Sequence, residues 1–301
     1  MTKLRLELNY ECNFNCKFCH HDQVIKCENS DTLDAEDYSF LVRVAKECNI
    51  NQITLSGGEP TLRNDINDII DGIAKNGIFL KLTTNGYFLN KINNLDNLNA
   101  ISVSLHSLQY PDYQTITGTK TALPQVIDNL YTIHQKQPST ALIINMVAMK
   151  DISITFENLK KMLDFCAENN MTLKIIELLD PSSPDFISLT EIEDIIESFG
   201  FKVYNTLRNK IFLTNSSVDV ILQRCFCPFA KDVENPSKFC HEHNDLFVLP
   251  NGKVQVCRHS SNLINLYDAI KSRNEDELKT LINKCKDQLG CNCSHKKHHS
   301  K

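Results

Sequence analysis

Three cysteines, Cys12, Cys16 and Cys19, stand within one short run, CNFNCKFC. Thiolates at spacings of four and three residues can converge on the face of a metal cluster. A zinc site usually takes four protein ligands, commonly as two close pairs, so three leave one corner of a metal centre open. That pattern suits an iron–sulfur cluster with one iron bound by something other than protein. A second group lies towards the other end of the sequence: Cys225, Cys227, Cys240, Cys257, Cys285, Cys291 and Cys293. Between the groups are Cys27, Cys48 and Cys166, of which the latter two fall on helical patterns and read as buried structural thiols.

Several polar segments accompany the first cluster. Ser56-Gly57-Gly58-Glu59-Pro60 pairs two glycines, which allow close backbone approach, with a carboxylate suited to an ammonium group. Thr83-Thr84-Asn85-Gly86, Ser104 and Asn145 follow, each late in an apolar run. Hydroxyls, amides and bare backbone at neighbouring strand ends suit a small molecule carrying a carboxylate, an amine and a ribose.

The elements that must position these groups show in the hydrophobic periodicity. Strands are expected at Leu4–Leu8, Gln52–Leu55, Phe79–Thr83, Ala100–Leu105, Ala141–Met146 and Thr172–Leu178. Helices are expected at Asp34–Cys48, Arg63–Lys75, Pro124–Gln135, Glu157–Asn169 and Ser188–Phe199. About six βα units predict an α/β fold, a partial (β/α)6 TIM-type barrel with a cysteine-rich C-terminal extension. An open doubly wound sheet is the alternative that periodicity leaves standing. Residues 1–222 form the expected barrel, and 223–301 an auxiliary metal-cluster region with a disordered basic tail, SHKKHHSK. Phe201–Tyr204, Lys210–Leu213 and Val218–Leu222 read as short strands, and Arg224–Cys293 as a segment of little apolar mass that depends on metal.

Composition excludes several classes. Lys and Arg number 32 against 37 Asp and Glu, a net charge of −5, which argues against a duplex nucleic-acid binder. No run approaches the ~18 apolar residues of a membrane span. The start of the sequence lacks an apolar signal region, so a cytoplasmic location is expected, where 13 cysteines point to metal rather than disulfides.

Taken together, TLSGGEPTLR, LTTNGYFL, ISVSLHSL, ITG, NMVAM and LKIIELLD behind the three-cysteine loop resemble the radical S-adenosylmethionine (SAM) enzymes. The resemblance is nearest to the molybdenum-cofactor GTP 3′,8-cyclase group and runs from about Leu4 to Leu179. It implies that Cys12, Cys16 and Cys19 hold a [4Fe–4S] cluster whose fourth iron binds SAM. It further implies reductive cleavage of SAM to a 5′-deoxyadenosyl radical, with an electron donor such as flavodoxin or ferredoxin. Gly58 and Glu59 match positions that receive the methionine end, and Thr83, Ser104 and Asn145 match polar SAM contacts. Cys240, Gly252 and Cys257 fit the first part of a SPASM/twitch auxiliary-cluster pattern. The other late cysteines offer further ligands to a second [4Fe–4S] cluster, and His243 leaves structural zinc as the alternative.

The GTP cyclases line their pocket with cations, and here only Arg5 keeps such a position. The others appear as Gln52, Thr54, Ile143, Asp245 and Phe247. The expected substrate is therefore a small, nucleotide-like molecule other than GTP. A SPASM/twitch-type peptide maturase is the alternative, and a non-enzymatic cluster carrier leaves the SAM-matching segments without a purpose.

Overall fold

A computed structural model of the chain describes residues 2–19, 32–137, 139–207, 209–224, 245–256 and 263–289. Its first strand β1 (Lys3–Glu7) is followed by α1 (Ala35–Glu47), β2 (Gln52–Ser56), α2 (Ile66–Ala74), β3 (Phe79–Thr84) and β4 (Ala100–Ser104). Then come α3 (Tyr110–Thr117), α4 (Ala122–Lys136), β5 (Ala141–Val147), α5 (Phe156–Glu168), β6 (Thr172–Ile176) and α6 (Leu189–Ser198). β1 to β6 lie side by side in chain order, all parallel. This is the expected (β/α)6 unit.

The sheet continues past both ends of that unit. β7 (Lys202–Leu207), β8 (Lys210–Thr214) and β9 (Asp219–Gln223) pair antiparallel, and β9 lies parallel beside β6. On the far side β10 (Asp245–Val248) runs parallel to β1, with β11 (Lys253–Gln255) and β12 (Leu263–Asn265) antiparallel beyond it. The result is a 12-stranded sheet with β12 and β7 as its edges, so the barrel is partial and does not close.

Alternation along the strands divides the sheet into two faces. Leu4, Leu6, Ile53, Leu55, Leu80, Leu82, Ile101, Val103 and Ile144 join the core that includes α1, α2, α4 and α5. The opposite, inner face carries Arg5, Thr54, Lys81, Thr83, Ser102, Ser104 and Asn145, and register aligns them across strands. One face therefore holds the molecule together while the other is polar.

Helix α3 is an addition to the expected elements. It is eight residues long and starts on Gln109-Tyr110-Pro111 rather than on an apolar stripe. Gly118 ends it at φ +70, a left-handed position natural to glycine.

One expectation about the late segments is corrected. The described residues beyond 222 are not poor in apolar mass. Leu246, Val248, Val254, Ile264, Ile270, Leu278 and Ile282 are buried in the same core as β1 and β2. Cys285, proposed above as a metal ligand, lies in α8 (Glu275–Asp287) at 0% exposure within that core. Burial pushes its thiol up to about 12.

α7 (Tyr267–Lys271) and α8 are fastened to α1 by charge. Asp37, 1% exposed, receives Lys271 Nζ on Oδ2 and Arg273 Nη1 on Oδ1 at 2.8 Å, and it completes a capping box with Asp34. Burial alone raises the carboxyl, but Lys271, the Asp34 amide and Arg273 hold it below its ordinary value. Its contribution is therefore present above the unfolded value of 3.8 and lost as pH falls through the lower folded one. Asp37→Ala is expected to destabilise the fold by about 2–4 kcal/mol, since both cations lose their buried partner and the Asp34 amide loses its acceptor in the capping box. Urea denaturation at neutral pH measures this; the gap between variant and parent narrows below pH ~4.

Candidate active site

The three-cysteine loop leaves the C-terminal end of β1, where Leu8 N donates to Ser56 O at 2.8 Å and extends the β1–β2 ladder. Two segments then clamp it. Gly58 N donates to Asn9 O at 2.9 Å and Glu59 N to Glu11 O at 2.7 Å. On the other flank Asn15 N donates to Thr117 O at 3.1 Å and Lys17 N to Ile116 O at 2.8 Å. Both clamps require glycine. A Cβ on Gly58 would stand 2.2 Å from Glu11 O, and one on Gly118 2.8 Å from Asn15 O. Phe14 anchors the loop edge-on to Tyr87 and Tyr113, with ring centroids 6.3 and 6.5 Å away. The GGE and ITG segments thus act as supports of the cysteine loop.

Cys12 and Cys16 are half-buried and Cys19 is exposed. Burial pushes the Cys16 thiol up to about 12, with the neighbouring Cys19 and Cys12 adding to the rise. Burial likewise raises Cys12, against hydrogen bonds from Phe14 N at 3.4 Å and Asn85 Nδ2 at 3.9 Å. Three thiols close enough to oppose one another's ionisation suit a cationic iron–sulfur core, which stabilises all three as thiolates. Among the described residues no three His, Cys, Asp or Glu side chains converge on one ion position.

Glu59 sits elsewhere than its sequence position suggested. It is 1% exposed, and its Oε1 accepts from Thr61 N at 3.0 Å, Thr61 Oγ1 at 2.6 Å and Thr84 Oγ1 at 2.7 Å. Its Oε2 accepts from Asn85 N at 2.6 Å. Burial raises the carboxyl while these four bonds oppose the rise. Through these bonds the carboxylate ties the end of β2 to the end of β3. Gly58, half-buried, remains at the loop surface.

Asn85 was not singled out as a site residue, yet it joins everything here. Its Nδ2 donates to Asn13 Oδ1 at 2.7 Å, and its amide N holds Glu59. Ser104 and Asn145 are direct cross-strand partners on β4 and β5, and Thr83 on β3 pairs with Ser102 one step lower. Among the described residues, Asn145 Oδ1 and Ser102 Oγ are buried without a hydrogen-bond partner, as is Arg5 Nε. Buried polar atoms are normally satisfied, so three such atoms on one face mark it as a surface for a polar ligand. Arg5 meets Asp245 at 3.5 Å and stacks over Phe247 at 5.8 Å. Cys225, Cys227, Cys240, Cys257, Cys291, Cys293 and His243 lie outside the described residues.

A sequence model described as the radical SAM superfamily matches residues 6–166. A protein of Pyrobaculum aerophilum named probable GTP 3′,8-cyclase is 30% identical over 292 residues, covering 92% of this chain and 90% of its own. Its namesake in Methanothermobacter thermautotrophicus is 28% identical over 301 residues, covering 94% and 92%. Among solved structures, Streptococcus suis SuiB bound to S-adenosylmethionine matches with a TM-score of 0.65 at 19% identity, over 92% of this chain and 66% of that one. A structure of anSMEcpe with bound AdoMet matches at 0.64 and 14% identity, over 96% and 82%. At such identities the two structures speak for the fold.

Proposed function

The chain belongs to the radical SAM superfamily, and from that premise we propose that Cys12, Cys16 and Cys19 hold its [4Fe–4S] cluster and that the inner face receives SAM and a small substrate. It is an enzyme of the radical SAM type, whose cofactors are that cluster and SAM. When bound, they supply reductive cleavage of SAM to methionine and a 5′-deoxyadenosyl radical that takes hydrogen from the substrate. The observation that carries the proposal is the cysteine loop, clamped by the GGE and ITG segments at the C-terminal end of β1.

The chain's own residues supply binding and positioning. Gly58 gives the backbone closeness that lets the methionine end lie against the loop. Thr83, Ser104 and Asn145 offer a hydroxyl, a second hydroxyl and an amide on three adjacent strands to the nucleoside end. Asn145 Oδ1, having no partner of its own, is a ready acceptor. Asn85 and Glu59 are positioning residues that fix the loop relative to β3. An electron donor of the flavodoxin or ferredoxin kind serves the cluster. An auxiliary [4Fe–4S] cluster held by Cys240, Cys257 and two of Cys225, Cys227, Cys285, Cys291 and Cys293 completes the proposal.

For the substrate, the proposal is a nucleotide-like molecule other than GTP. Gln52, Thr54 and Ile143 are uncharged, and Asp245 already engages Arg5. A triphosphate beside Asp245 would lose charge-assisted contacts and gain a repulsion, costing roughly 10³-fold in affinity. The test is incubation of reconstituted protein with GTP, SAM and reductant, followed by mass spectrometry. No cyclised nucleotide is expected; multiple turnovers to 3′,8-cyclo-GTP would overturn the substrate assignment and leave the SAM chemistry intact.

A further inference from the structure

We infer that Lys81, together with Arg5, forms a two-cation seat on the inner face for one anionic group of the substrate, a carboxylate or a phosphoryl group. The inference rests on the reading of the inner face as the substrate pocket and adds the residue that selects among substrates.

The register places the two cations. Arg5 on β1 pairs with Thr54 on β2, and Thr54 pairs with Lys81 on β3. They therefore stand on one rung, two strands or roughly 10 Å apart at Cα, a span that two long side chains close. Thr54 between them and Ala100 beyond Lys81 are short, which leaves the side chains room above the rung. Lys81 lies two residues before Thr83 on the same strand, so the seat is about 6–7 Å deeper than the proposed SAM contacts. That spacing puts the anionic end of a substrate away from the cluster loop and its reacting end towards it.

Charge balance argues in the same direction. Lys81 makes no hydrogen bond or ion pair among the described residues. Its electrostatic neighbours are Arg5, Lys210 and Lys3, with Asp245 as the opposing acid. Asp245 is itself engaged with Arg5 at 3.5 Å. Burial, then the repulsion of those three cations, brings the Lys81 amine down to about 7. A half-buried ammonium so placed gains most from an anion delivered by a ligand. Arg5 Nε and Ser102 Oγ, both buried without partners on this face, supply two further donors to the same group. The surplus suits one anionic group.

The test uses the reconstituted holoenzyme and a brief acetic anhydride pulse at pH about 7.5, just above the amine's depressed value. Acetylation of Lys81 is read by peptide mass spectrometry with inorganic phosphate, acetate or sodium chloride at matched ionic strength. With phosphate or acetate at ten times its Kd, Lys81 labelling is expected to slow about tenfold, while exposed Lys160 and Lys161 are unaffected. Protection by phosphate alone assigns a phosphoryl group, and by acetate alone a carboxylate. No protection by either, or equal protection by chloride, overturns the inference. As a second measurement, a phosphate-induced rise in Tm is expected to vanish in Lys81→Met and persist in Lys81→Arg; an undiminished rise in Lys81→Met also overturns it. Neither readout involves 5′-deoxyadenosine, so failure here is distinguishable from failure of the SAM reading.

Discussion

Replacing Cys12, Cys16 and Cys19 together by Ala is expected to abolish formation of 5′-deoxyadenosine. The argument is one of chemistry rather than stability. Cys19 is exposed and Cys12 and Cys16 are only half-buried, so their truncation removes little packing. The anchor Phe14 and the backbone clamps from Gly58, Glu59, Ile116 and Thr117 stay in place. The variant should therefore fold with nearly the parent Tm while the loop has no thiolate left to hold iron. Iron and sulfide analysis should show the loss of one cubane, with iron at the late cysteines retained. Undiminished SAM cleavage in this variant would sink the assignment of the loop.

The second large effect is expected from a single methyl group. Gly58→Ala brings a Cβ to 2.2 Å from Glu11 O and 2.6 Å from its carbonyl carbon. Those are backbone atoms one residue before Cys12, so no flexible side chain can give way. Either the Gly58 N–Asn9 O and Glu59 N–Glu11 O bonds break, or the loop moves outward by an ångström or more. A displacement of that size at a catalytic constellation costs about 10²-fold in rate. Gly58→Ala should thus cut SAM cleavage at least a hundredfold while Gly72→Ala, whose Cβ would meet the Ser39 side chain at 3.3 Å and Ala35 O at 3.6 Å, serves as the control. Gly58→Ala with parent-like cleavage would show that the close approach is not what positions the loop.

Much of the fold was legible because its signals are local. Runs such as Ile53-Thr54-Leu55 and the spacing of Ile66, Ile69, Ile70 and Ile73 declare strand and helix without help from the rest of the chain. What escaped was non-local. β10 is four residues containing an aspartate, and its partner β1 lies at the other end of the sequence. Lys81 reads as solvent-facing in an alternating strand, yet it is half-buried. The burial of Cys285 with Leu278 and Ile282 is readable in their spacing on one helix face. Glu59 was identifiable as special, but sequence gave its chemistry without its direction. The donors that claim it, Thr84 and Asn85, belong to another strand end.

The central claim is that this loop, once loaded, cleaves SAM by one-electron reduction. The direct measurement is chromatography of the products after anaerobic reconstitution with iron and sulfide, followed by SAM and dithionite. The account predicts 5′-deoxyadenosine and methionine in equal amounts, dependent on reductant and absent from the triple-cysteine variant. Protein that carries a full complement of iron and sulfide yet returns SAM unchanged under reduction would contradict it.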